Sequence, residues 1–180
     1  MRELTDRDRI AEFMSAVGRV ARSPARVYLT GGSTAVLFGW RESTIDIDIR
    51  VEPELDEIFR ALPDVKERLK LNVELASPPD FIPAVPGWEE RSIFIDRDGK
   101  VDFFHFDPYS QALSKIQRRH KQDLDDVESM YRDDLVQPQR LLEFFARIKP
   151  LLYKYPAIDP ADFERAVIEW TKGHNKKEAE

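Results

Sequence analysis

The 180 residues, 42% apolar and 34% charged, are enough for one core with a helical annex and a well-solvated surface. There is no cysteine, which excludes a disulfide framework and cysteine-ligated zinc and accords with a reducing, cytoplasmic setting. A net charge of -6 excludes a basic coat for duplex binding, while a local basic strip for RNA or a triphosphate stays open.

The N-terminal stretch Met1 to Asp8 is too charged for a secretory leader. No apolar run approaches the roughly 20 residues needed to cross a bilayer. Thr5 with Asp8 reads as a capping box, and Ile10, Phe13, Met14 and Val17 follow at helical spacing, predicting an amphipathic helix over about 6–21. Arg26 to Thr30 is a short strand ended by Gly31-Gly32, and Ser33 to Trp40 a short helix. Thr44 to Val51 alternates, with Ile45, Ile47 and Ile49 on one face and Asp46 and Asp48 on the other.

Pro53 is suited to open a helix that continues to about Lys70 with a kink at Pro63. Leu71 to Ala76 alternates again, and the prolines and glycine between Pro78 and Gly87 predict an irregular loop. Arg91 to Asp96 and Lys100 to Phe106 flank Arg97-Asp98-Gly99 as a hairpin. Helices are expected from Pro108 onward, the last one capped by Asp159, opened by Pro160 and stapled by Ile158 and Phe163. The order predicts an α/β fold with a mixed, α+β-type sheet: a core over 1–107, a helical part over 108–172, and a flexible tail over 173–180. No internal repeat interrupts this plan.

Chemistry concentrates in Gly31-Gly32-Ser33, followed after twelve residues by Asp46-Ile47-Asp48-Ile49. Carboxylates one residue apart on a strand point the same way and can share a divalent cation, Mg²⁺ or Mn²⁺, whose other ligands come from substrate phosphates. A Gly-Gly-Ser turn opening a helix offers backbone N–H groups and a hydroxyl to phosphate. Each half alone is commonly structural: turn punctuation, or the solvated face of an edge strand. Together they supply positioning and charge neutralisation, the two needs of phosphoryl transfer.

Gly31-Gly32-Ser33 with Asp46 and Asp48 resembles the signature of the polymerase beta-like nucleotidyltransferases, strongly over residues 26–51. Arg41 to Asp46 is similar to the lead-in of the abortive-infection, toxin-antitoxin branch. The resemblance implies a nucleotidyltransferase-like core that binds the NTP phosphates at Gly31, Gly32 and Ser33 and the metal at Asp46 and Asp48. It further implies a third carboxylate: Asp102 is preferred, because family order places it on the strand leading into the Lys115 helix, and Glu74, with the cleaner strand alternation, is the alternative. From the same branch, Lys115 is a candidate for phosphate and Asp123 for orienting that lysine or the acceptor. A solvated helix face is the plainer reading of residues 115–128. The implied reaction moves an NMP to a hydroxyl of tRNA or protein, with a cognate antitoxin and a homodimer as expected partners.

The rival from another class is a non-catalytic nucleotide sensor or antitoxin-like module; a third reading is RNA binding through the basic run 115–121. His105, His120 and His174 show no ligand spacing, and His105 reads as a satisfied core histidine. Trp88 is placed either to close over a base or to fill a core. Leu141, Leu142, Phe144 and Phe145 are core or dimer contacts.

Overall fold

In the computed structural model, which describes residues 3–175, the chain divides into two compact units. The first comprises residues 1–77 and 92–106, and the second residues 78–91 and 107–180. The stretch expected as a loop thus belongs with the helical part, by way of a 3₁₀ turn at Pro78–Asp80 and a short helix α4 (Trp88–Arg91).

The first unit is built on a mixed sheet, ordered β3-β2-β1-β5-β4. Its strands are β1 (Ala25–Thr30), β2 (Asp46–Glu52), β3 (Asn72–Glu74), β4 (Ile93–Asp98) and β5 (Val101–His105). β1 runs antiparallel to β2 and parallel to β5; β2 is parallel to β3, and β4 antiparallel to β5. One face is covered by helices α1 (Arg7–Val20) and α3 (Asp56–Leu69). Ile10, Phe13, Val17, Ile58, Leu62 and Val65 meet Val27, Leu29, Ile47, Ile49, Val73 and Phe103 there in one apolar cluster. Strand alternation then puts Asp46, Asp48, Arg50 and Glu52 on the opposite face. Helix α2 (Gly32–Leu37) follows β1 directly.

Several local expectations are corrected. Asp6, not Thr5, caps α1 by accepting from the Arg9 N–H, because the Thr5 backbone is bridged to Thr44. Pro53 lies before α3, which starts at Asp56 and runs through Pro63. Ile45 is half exposed and outside β2, so the inward face is Ile47, Ile49 and Val51.

The second unit holds α5 (Pro108–Arg118), α6 (Lys121–Arg132), α7 (Pro138–Ile148) and α8 (Pro160–Asn175). Asp107 caps α5 through the Tyr109 and Ser110 N–H groups, and the Arg91 guanidinium binds the same carboxylate at 2.7 Å. Leu141, Phe144 and Phe145 are buried, and Leu142 is half-buried. The Asp159 side chain accepts from the Asp162 N–H, and Ile158 and Phe163 are buried beside it. Of the tail expected over 173–180, residues 173–175 continue α8, where Thr171 and His174 are buried; residues 176–180 lie outside the described residues. No helix among the described residues is long and apolar enough to cross a membrane.

Candidate active site

Asp46 and Asp48 stand two residues apart on β2, about 6.7 Å along the strand, with side chains on the face away from α1 and α3. The register sets Asp48 opposite Thr30 on one side and Glu74 on the other, and Asp46 opposite Asn72. Thr30 is the last residue of β1, so the carboxylate pair lies level with the turn that follows it.

That turn is shaped by Gly31, at φ 66° and ψ -129°, a backbone region side chains avoid. A Cβ at Gly31 would stand 2.9 Å from Asp48 Oδ2. Residues seventeen positions apart in sequence are therefore in van der Waals contact. Gly32 has a different reason to be glycine: a Cβ there would lie 2.7 Å from the Thr44 Cβ. Thr44 is itself fixed by its bridge to Thr5 and by its hydroxyl donating to the Asp46 carbonyl at 3.1 Å. Ser33 is fully buried, and its hydroxyl has no hydrogen-bond partner among the described residues.

Asn72 is the residue that sequence reasoning missed. Its amide donates to the Asp46 carboxylate and, at 3.3 Å, to Glu74 Oε1. The signal was present in the alternation of β3, where Asn72 and Glu74 share a face, but an amide carries no motif of its own.

The two candidates for a third carboxylate separate clearly. Glu74 is exposed and directly beside Asp48. Asp102 shares the face but pairs with Arg26, four residues down β1 from Thr30, about 13 Å along the strands and two strand spacings across. Its carboxylate is bound by Arg97, with one bond of 2.9 Å, and that hydrogen bond holds it below the usual carboxylate range. Among the described residues no three acidic or histidine groups gather to hold a metal by themselves.

Lys115 and Asp123 belong to the second unit. The buried Lys115 ammonium lies 2.7 Å from Asp126 and 3.4 Å from Asp123, which Arg118 also contacts at 3.0 Å. Asp126, the closer partner, was not singled out from the sequence. His105 is buried with Nδ1 3.1 Å from Thr34 Oγ1, and burial pushes its imidazole down to about 4. It is a satisfied core histidine, as expected. Trp88 is half-buried at the start of α4.

Residues 8–176 match a family profile described as nucleotidyltransferase of unknown function, DUF6036. The chain belongs to that nucleotidyltransferase family. No curated protein and no solved structure matches it.

Proposed function

We propose that the protein transfers an NMP from an NTP to an acceptor hydroxyl, with release of pyrophosphate, at the face formed by Asp46, Asp48 and the Gly31–Ser33 turn. The observation that carries this reading is that Asp48 Oδ2 lies within 2.9 Å of where a Gly31 Cβ would stand, which joins the two halves of the sequence signature. A second observation supports it. A buried hydroxyl without a partner costs about 1–3 kcal/mol, and a phosphate oxygen at the turn would satisfy Ser33.

Oxygen donors suit a hard divalent cation, Mg²⁺ or Mn²⁺: Asp46 and Asp48 would hold it, with Glu74 as the neighbouring carboxylate and phosphate and water oxygens as the remaining ligands. When bound, that ion would neutralise phosphate charge and polarise the transferring phosphoryl group. Asp46 and Asp48 would fix its position. Asn72 restrains the Asp46 carboxylate through its amide N–H, so the ligand oxygens are pre-aimed. Glu74 takes the place of Asp102 in this proposal and is the nearest available base for the acceptor proton. Lys115 is assigned the internal ion pair with Asp126 and Asp123.

The toxin-antitoxin setting, with tRNA or protein as acceptor, is the finer part of the proposal and rests on the resemblance of Arg41 to Asp46. The test uses each labelled NTP with Mn²⁺ and total RNA or lysate, and asks what becomes labelled. Asp46→Asn and Asp48→Asn should abolish labelling in folded protein. Label that persists in both variants, or NTP binding without any transfer, would return the protein to the class of nucleotide sensors.

A further inference from the structure

The sheet face that carries Asp46 and Asp48 changes character toward β4. Phe104 of β5 and Phe94 of β4 are direct register partners, edge to face at 5.7 Å and 81°. Tyr28 of β1, itself fully buried, stacks on the other side of Phe104 at 5.4 Å and backs that ring. The Arg26 guanidinium stands 5.6 Å from the centre of the Phe104 ring. Arg97 is the register partner of Asp102 and shares this face. Phe94 is 56% exposed on the edge strand and the Arg97 side chain 67%; Arg26 is also exposed, and Phe104 is half-buried.

We propose that Phe94 and Phe104, with the Arg26 and Arg97 guanidinium groups, form a landing site for a single-stranded segment of an acceptor RNA. Every base has a π-face, so aromatic side chains on an open sheet face stack bases without needing a sequence. Arginines beside the rings draw the phosphates and can themselves stack. Arg97 binds Asp102 through Nε and Nη2, which leaves the Nη1 hydrogens as donors for a phosphate. A protein partner fits the site less well: two accessible rings fall far short of the roughly 800 Å² a side that a stable interface buries. A duplex fits less well still, because so few cations cannot hold a stacked, doubly charged helix to a chain of net charge -6.

Phe104 lies two residues along and two strands across from Asp48, about 12 Å, the span of three to four stacked nucleotides. This inference rests on the transfer reaction proposed above and names its acceptor class.

The test measures binding of a fluorescent eight-nucleotide oligouridine to the full chain by anisotropy, without NTP or metal. Phe94→Ala and Arg26→Gln should each weaken binding about tenfold, and Phe94→Tyr should retain it. Tyr153→Ala, at an aromatic 74% exposed in the second unit, should leave affinity unchanged. A duplex of the same length should bind more weakly than the single strand. Equal affinity for duplex and single strand, unchanged binding in Phe94→Ala, or a monomer–dimer shift caused by Phe94→Ala would overturn the proposal. Asp46→Asn should still bind the oligomer. Phe94-dependent binding in a protein that transfers nothing would refute the enzymatic reading alone, and transfer to a protein acceptor without RNA binding would refute this inference alone.

Discussion

Glu74→Gln and Asp102→Asn each remove one negative charge and open no cavity, so they compare the two strands that could complete the carboxylate site. Glu74 is the lateral neighbour of Asp48, about 4.8 Å away across the β2–β3 pair. Asp102 is roughly 13 Å along the strands and two strands across, beyond reach of any ion held by Asp46 and Asp48. If Glu74 accepts the acceptor proton or a metal bond, its amidation should lower turnover about a hundredfold, equivalent to about 2.7 kcal/mol of transition-state stabilisation. Asp102→Asn should leave turnover within about twofold, because what it loses is solvent-screened pairing with Arg97 and attraction to Arg26, both away from the Asp46–Asp48 pair. Labelled-NMP transfer at saturating Mn²⁺ gives the rates, and Mn²⁺ titration of each variant separates metal binding from proton transfer. The opposite ranking in folded protein would refute the register argument and restore Asp102.

Three further outcomes follow from the geometry. Gly32→Ala should destabilise the fold through its collision with Thr44, and the double variant with Thr44→Gly should recover most of the loss in a urea melt; no recovery would mean that the glycine serves something other than this contact. Lys115→Met should cost about 3–5 kcal/mol, because it removes the buried cation that lies between Asp123 and Asp126, and a loss below about 1 kcal/mol would show the pair to be dispensable. His105 is neutral in the native state down to about pH 4, whereas in the unfolded chain it takes up a proton near 6.5. Stability is therefore whole above about pH 6.5 and falls as pH drops toward 4, by about 3 kcal/mol at most. His105→Gln should flatten that window in urea titrations, and an unchanged pH profile would place the dependence on other groups.

What the sequence determined by itself is local. The alternation around Asp46 and Asp48 required a strand with both carboxylates on one face, since period two leaves no other choice. Gly31-Gly32 after a β-branched run required a turn, and Asp159-Pro160 the start of a helix. The mixed sheet and the helical second half also follow from such patterns. What only tertiary structure decided is which strands lie side by side, and at what register. In a linear reading Asp102 is preferred over Glu74 on family order alone, because alternation gives a face but no neighbour. Pairing of Asp48 with Glu74, and of Asp102 with Arg26, separates them. Asn72 was invisible for the same reason: its amide gains a role only when β3 lies against β2. Thr5 looked like a cap until Thr44, thirty-nine residues on, claimed its backbone. Lys115 read as a cation free to meet phosphate, or simply solvated, and only the fold closed its ammonium between aspartates of α6, since burial is a property of the fold around a side chain and not of the side chain.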